Sequence, residues 1–495
     1  MDKQVVVIGA GLGGLAAALR LRAQGMRVTV CEKLERFGGR SNLIDECGFR
    51  IDTGPTILVM KDAFEETYRS LGLKLADRLE LTQIEPNYRI YFHDGTHLDL
   101  SNSMARLADN VEQHEPGGAE RVFRFLGESA RKYELGMEFV TRNYDRITDL
   151  ANPRALVGML STKSYKGLYD HVAEYFESEK LRKAFSFHSM FLGLSPLDSP
   201  AMYALITYAD LVGGMWYPKG GIYSVIEDLV SLAEERGVEL RAGTEVARIR
   251  VERRRAVGVE LRNGDFIPAD AVVSNADLPY TYGSLIGEEH RKRFSDRRLK
   301  RMEYACSGYL LYLGLDRRFP ALRHQGLFFS EDYRANLDAI FRTGEVPEDP
   351  SFHISCPTVT EPSLAPDGHS ILYLLAPMPN LQAGIDWDEA APVVREKLLG
   401  RLEELVHPGI REHIVWERQY TPEDFRRDVN AVHGTAFGSL AHGFFQSAYF
   451  RPHNVARDIK GLYFVGQGTY PGIGMPMVLI SARLLAERVV RDGGA

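Results

Sequence analysis

Gly9, Gly11 and Gly14 follow four apolar residues, Val5 to Ile8, and stand just before a stretch rich in alanine and leucine. Glycines at this G-x-G-x-x-G spacing, between a strand and a helix, can cradle a diphosphate. Gly9 permits the tight turn, Gly11 lets the backbone approach phosphate oxygens, and Gly14 lets helix and strand pack closely as the helix opens at Leu15. N–H groups at the helix start, with the positive end of its dipole, then meet the anion. A second strand, Val28 to Cys31, ends at Glu32, 18 residues beyond Gly14, where a carboxylate accepts a ribose 2′-hydroxyl. A glycine triplet alone marks only a turn. Strand, helix and acid together make this a dinucleotide site.

Further along come Gly38-Gly39-Arg40 and then Asp52-Thr53-Gly54-Pro55. A nicotinamide dehydrogenase has no need of a second glycine pair and a basic residue just past the ribose carboxylate. The run Glu-x5-Gly-Gly-Arg followed by Asp-x-Gly resembles the extended FAD motif of the amine oxidase and carotenoid desaturase superfamily. The C-terminal region repeats the phosphate-binding logic. A short strand, Gly461 to Gly466, leads through a Gly/Pro loop to a helix from Met477 to Val490, with Pro476 at its first position. That helix start can offer N–H groups to the electron-rich edge of a reduced flavin.

The elements that must position these residues can be read from pattern. Ala247 to Val251 and Ala256 to Leu261 read as a hairpin with Asn263-Gly264 at a tight turn, and Ala271 to Ala276 as a buried strand. Resemblance to a flavin fold implies that this block returns to the nucleotide sheet, with Val246 against the adenine. Tyr309 to Leu313 and Ile371 to Leu375 read as strands, and Ile222 to Glu235 and Val393 to Val406 as helices. Leu107 to Tyr144 carries helical spacing, and Tyr165 to Phe176 reads as an amphipathic helix with a tyrosine-rich face. Phe185 to Tyr217 is markedly apolar but interrupted by Pro196, Asp198, Pro200 and Asp210. Two broken helices lining an apolar cavity suit it, or a segment that dips into a bilayer surface. An ordinary buried helix pair is the plainer alternative.

With 495 residues the chain exceeds one simple core. The expected class is α/β: a Rossmann-type FAD-binding domain interleaved with an α+β substrate domain and a helical region suited to membrane association. The expected division is FAD-binding at 1–75, 216–290 and 441–495, a helical substrate region at 76–215, and a substrate domain at 291–440. Sixty basic against 67 acidic residues give a net charge of −7, which offers nothing to nucleic acid. Cys31, Cys47, Cys306 and Cys356 have neither C-x-x-C nor metal-ligand spacing, so reduced thiols and no metal are expected. The N-terminus enters the first strand at once, leaving no room for a signal peptide, and no run of 18 apolar residues occurs. A cytoplasmic location is expected, with peripheral attachment to a membrane.

Several internal stretches resemble the bacterial carotenoid desaturases of the phytoene desaturase family, including the dehydrosqualene desaturases. They are Val5 to Gly54, Leu181 to His188, Trp216 to Gly221, Ser274-Asn-Ala-Asp277, Ser363 to Gly368, Arg451-Pro-His-Asn454 and Tyr463 to Arg483. The resemblance implies an FAD enzyme with an amine-oxidase-like fold, working at a membrane surface on a long apolar polyene. Oxygen or a quinone is the implied electron acceptor. It carries over Gly9, Gly11, Gly14, Glu32, Gly39, Arg40, Gly54, Pro55, Val246, Gly466, Met475 and Met477 as cofactor contacts. Tyr470 and Ile473 depart from the family, which commonly has His and Ala there, in the loop expected beside the flavin ring. Tyr304 to Gly308 and Ser330 to Arg334 resemble the dehydrosqualene enzymes and favour a C30 over a C40 chain.

Desaturation removes a hydride from one allylic carbon and a proton from its neighbour, and flavin N5 can take the hydride. Asp149, His188, His433 and Tyr470 are candidates for the base, each with a structural role as the plainer reading. Two other classes stay open: a flavin oxidase acting on a carotenoid end group, an amine or a porphyrinogen, and a non-catalytic isoprenoid-binding flavoprotein.

Overall fold

Val5, Val6, Val7 and Ile8 are apolar in succession because both faces of their strand are covered. The computed structural model, which describes residues 3–145, 149, 157–158, 160–163, 165–441, 443 and 446–493, places Gln4–Ile8 at the centre of a five-stranded parallel sheet. Ala271–Ser274 and Arg27–Cys31 flank it, and Leu462–Phe464 and Glu239–Arg241 form the edges. One layer thus gathers its strands from the beginning, the middle and the end of the chain.

The helix Leu12–Ala23 covers one face of this sheet, with Leu15, Ala16, Ala17, Ala18 and Leu19 fully buried. It shares a core with Tyr223–Glu235 and the C-terminal helix Met475–Gly493. Its first residue is Leu12, three earlier than the expected Leu15, with Gly11 as an extended N-cap. The turn closes as soon as Gly9 takes φ +91°, so Gly13 and Gly14 already belong to the first helical turn. The C-terminal helix likewise starts at Met475, and Pro476 occupies its second position, where an N–H is still not needed.

A seven-stranded mixed sheet forms the second layer. The expected strands at Tyr309 and Ile371 are the middles of Ser307–Leu315 and Ser370–Met378, which pair antiparallel along their whole length. Ile414–Tyr420 lies outside them, and Phe352–Ser355 and Gln325–Phe329 continue the sheet on the other side. Its last two strands, Tyr88–Phe92 and His97–Leu100, come from a stretch where only helical patterning was expected. The alternation of buried Tyr88 and Ile90, and of Leu98 and Leu100, is their period-two signal.

Elsewhere the hairpin Val246–Glu252 and Arg255–Leu261 turns on Arg253 and Arg254, both at positive φ. Asn263-Gly264 instead leads into a third strand, Phe266–Pro268. The helical stretch from Leu107 is two helices, Met104–His114 and Gly118–Val140, broken at Pro116 and Gly117. The expected helix over Tyr165 to Phe176 shrinks to Leu168–Val172. Gly167 bridges Pro200 there and the Leu168 N–H donates to Ser199 O at 2.7 Å, so the backbone is already committed outside the helix. Phe185 to Tyr217 runs through broken helical pieces, Glu179–Ser186, Phe187–Leu192, Ala201–Tyr203 and Ala204–Leu211, and ends in the short strand Trp216–Pro218. Among the described residues no helix is long and apolar enough to cross a membrane.

The tight contact behind the first turn is testable. A Cβ on Gly14 would lie 2.0 Å from the Gly9 carbonyl oxygen, a backbone atom. Gly14→Ala is expected to destabilise the fold by about 1–3 kcal/mol, read as a lower melting temperature by circular dichroism.

Candidate functional site

Three strand ends meet at Asn275. Its N–H donates to Ile8 O at 2.8 Å, and the next strand joins it through Val465 N–H to Ser274 O at 3.0 Å. The side chain then lies where Cβ atoms would fall on Gly11 (2.9 Å from Nδ2), Gly13 (2.6 Å from Oδ1) and Gly466 (2.8 Å from Oδ1). Glycine at all three positions is the condition for this packing. Gly38 closes the far side, donating to Ala10 O at 2.9 Å. Gly9, Gly11, Gly13, Gly38 and Gly39 consequently form a backbone wall on a large cavity, with the first N–H groups of Leu12–Ala23 beside it. Gly14 is the one predicted contact that does not line the cavity. It sits behind the turn and acts through packing.

Glu32 is buried, and its carboxylate is held by the Ala10 N–H (2.7 Å) and the Leu34 N–H (3.0 Å). Both oxygens keep further accepting capacity, and the residue lines the cavity beside Val246. Arg40 lines it too, but its charge is already met. It pairs with Asp277 through two bonds, at 3.2 and 3.0 Å. The Gln467 amide oxygen, turned toward the guanidinium, accepts two more, at 2.8 and 3.0 Å. Arg40 therefore fastens the second glycine turn to the Asn275 segment and to the C-terminal loop. Gly54, Pro55, Gly466, Met475 and Met477 complete the predicted set on the same cavity.

The loop after Gly466 is held from beneath by residues whose role the sequence did not show. Arg451 is fully buried and donates to the carbonyls of Gln467, Thr469 (3.2 Å) and Gln446 (3.3 Å). Burial pulls its guanidinium down to about 10, which leaves it charged at neutral pH. Asn454 Nδ2 donates to Phe464 O, Tyr470 O and Ser481 Oγ, at 3.2, 3.0 and 2.9 Å. Arg451-Pro-His-Asn454 is thus a clamp for this loop. Tyr470 corrects an expectation: its ring does not line the cavity. Its hydroxyl donates to Phe139 O at 2.6 Å and it packs against Phe139 and Tyr144, tying the loop to the end of Gly118–Val140.

The cavity has a volume of about 1170 Å³ and runs from these turns over the seven-stranded sheet. Leu310, Leu327, Phe329 and Leu375 line it from the sheet, and Phe187, Met190, Phe191, Leu205 and Ile206 from the broken helices. Of the candidate bases only Asp149 lines it. His188 is buried behind, with Nδ1 3.1 Å from Thr207 Oγ1 and burial pushing it down to about 3, and His433 packs on Tyr304. Asp210 does reach the cavity. Its carboxyl is fully buried, 3.5 Å from the Tyr88 hydroxyl and from His188 Nε2, and burial pushes it up to about 8. In the sequence it looked only like an interruption of an apolar run. Among the described residues no three His, Cys, Asp or Glu side chains converge as a metal site.

Two glycine turns facing one carboxylate and one long groove are what an extended flavin dinucleotide requires, and the chain agrees from Leu12 onward. The family model for flavin-containing amine oxidoreductases matches residues 12–490. The chain belongs to that family. It is 41% identical over 490 residues to a zeta-carotene-forming phytoene desaturase of Myxococcus xanthus, covering 99% of this chain and 94% of that one. It is 35% identical to a 4,4′-diapophytoene desaturase of Staphylococcus haemolyticus, covering 99% of each. A solved oxidoreductase from Methanosarcina mazei has the same fold, with a TM-score of 0.67 at 19% identity over 98% of this chain and 100% of that one. The protein is a flavin-dependent oxidoreductase and its cofactor is FAD.

The groove makes two sharp demands. Gly11→Val is expected to purify without FAD, read from the ratio of absorbance near 450 nm to that at 280 nm. Glu32→Ala is expected to weaken FAD binding by roughly 1.5–3 kcal/mol, the range for a hydrogen bond to a charged group, measured by titrating FAD into apoprotein.

Proposed function

We propose that the protein is an FAD-dependent desaturase that introduces double bonds into a linear C30 or C40 isoprenoid. One observation carries this reading: the dinucleotide groove is continuous with a cavity whose walls are mainly aliphatic and aromatic side chains, with few polar groups among them. The volume is somewhat above the upper range of an ordinary small-molecule pocket, about 1,000 Å³, and one continuous space joins the glycine turns to the apolar walls. Named relatives that act on phytoene and on diapophytoene support both chain lengths.

In this reading the turn at Gly9 to Gly13 and the Glu32 carboxylate hold the diphosphate and a ribose, with Val246 against the adenine. Arg40, Gly54, Pro55 and the loop from Gly466 to Met477 form the flavin end. FAD supplies a hydride acceptor when bound. The chain's own residues hold an extended hydrocarbon in register and keep water away from it, which is the positioning that an unactivated C–H bond needs. A hydrocarbon offers no polar handle, so length and curvature of the cavity set selectivity.

The membrane is the proposed source of that substrate. Leu160, Tyr165 and Phe450 line the cavity and are exposed, by 61%, 72% and 47%, so they rim its opening with apolar surface. Val157, three residues before Leu160 in sequence, is exposed as well. Such a rim suits a headgroup layer, through which an isoprenoid enters without crossing water. Oxygen or a membrane quinone is the proposed electron acceptor.

The decisive experiment is anaerobic. Oxidised enzyme mixed with phytoene or dehydrosqualene in liposomes is expected to lose flavin absorbance as polyene bands appear. Bleaching by an amine or a finished carotenoid, and by neither of these substrates, would replace the desaturase with an oxidase. Leu160→Glu with Phe450→Glu is expected to reduce co-sedimentation with liposomes severalfold, with FAD content intact. Unchanged sedimentation would remove the rim from the membrane reading.

A further inference from the structure

A cavity meant only for hydrocarbon gains nothing from polar groups that lack partners, because burying each one costs free energy. Three such groups line this cavity. Asp210 Oδ1, Tyr333 Oη and Asn336 Nδ2 are buried, and none has a hydrogen-bond partner among the described residues. Tyr333 and Asn336 lie three residues apart on Tyr333–Asp338, so their side chains share a face. Asp210 stands on Ala204–Leu211, with its Oδ2 3.5 Å from the Tyr88 hydroxyl.

Aromatic contacts connect the two places. Tyr88 meets Phe187 at 5.3 Å between centroids, Phe187 meets Phe329 at 5.9 Å, and Phe329 meets Tyr333 at 5.2 Å. All four rings line the cavity, so the polar atoms sit along one aromatic wall. The wall is neutral. Burial keeps the Asp210 carboxyl protonated up to about pH 8, and a protonated carboxyl donates a hydrogen bond, as do a phenol and an amide. Lys183 lies 5.6 Å over the Tyr333 ring, but it is occupied by the carbonyls of Ser330 and Glu331 and by Glu179.

We propose that this wall binds a neutral oxygen function, a hydroxyl or a carbonyl, carried at the end of a polyene chain, so that the protein accepts oxygenated isoprenoids as well as hydrocarbons. The inference rests on the polyene reading above. A purely apolar pocket scarcely separates two chains that differ by one hydroxyl, whereas a wall built to hydrogen-bond that oxygen does.

Equilibrium binding to the oxidised holoenzyme tests it. The probes are an acyclic C40 polyene hydrocarbon and the same chain with one terminal hydroxyl, both in liposomes and read by polyene absorbance. The readout is the ratio of the two Kd values, in which general packing changes cancel. The wild type is expected to hold the hydroxylated chain about tenfold tighter or more. The double variant Tyr333→Phe with Asn336→Leu, similar in shape, is expected to bring the ratio close to one, and Asp210→Leu to lower it. FAD content and melting temperature establish that each variant is folded. A wild-type ratio near one, a ratio unmoved by the double variant, or no binding of either chain overturns the proposal. Failure of both phytoene and dehydrosqualene to bleach the flavin overturns the desaturase reading instead, and leaves the binding ratio to be read on its own.

Discussion

The whole arrangement depends on how closely backbone approaches backbone around Asn275. Its side chain fills the space that Cβ atoms on Gly11, Gly13 and Gly466 would need, so two turns far apart in sequence share one plug. If any of the three carried a side chain, the strand ends would separate and the backbone wall would lose its continuity. Arg40 and Asp277 extend the same junction by one ion pair. Because Asp277 is almost fully buried, this pair sets where the second glycine turn sits rather than adding a loose surface contact. Behind the C-terminal loop, Arg451 and Asn454 use buried donors to fix backbone carbonyls, so the loop keeps its shape without strands of its own.

Much of this was legible from residue type and spacing. The N-terminal turn, Glu32 and the C-terminal strand-loop-helix repeat are local signals, and local signals survive in a single sequence. Their boundaries moved only where a glycine turn closed sooner than expected, at Leu12 and Met475. Less legible was what depends on distant partners. Tyr88–Phe92 and His97–Leu100 are short strands in a helical neighbourhood, and they pair with each other and, through Tyr88–Phe92, with Gln325–Phe329. The direction of the Tyr470 side chain is set by Phe139, 331 residues away in sequence. Ser274-Asn-Ala-Asp277 and Arg451-Pro-His-Asn454 stood out as family motifs, yet their work as plug and clamp appears only when the three strand ends are brought together.

The apolar cavity shows a second kind of dependence. Its walls come from the sheet on one side and from broken helices on the other, and the breaks at Pro196 and Pro200 let short pieces curve around a long space. An unbroken amphipathic helix would present one straight stripe. The same breaks leave backbone groups needing partners, and Ser195, Ser199 and Gly167 supply them, as in the 2.9 Å bond from Ser199 N–H to Ser195 O. Asp210, like Tyr333 and Asn336, interrupts this apolar lining, and its position on the cavity wall, not its chemistry alone, sets it apart from His188 behind it.

The parallel sheet also joins segments that translation separates. Its edge strand Leu462–Phe464 and the helix that follows come long after Gln4–Ile8 in sequence, yet they carry Gly466 to Met477 on one wall of the groove. The groove therefore lacks that wall in any nascent chain that has not yet reached Gly466, whatever the first turn, Glu32 and Val246 have already formed.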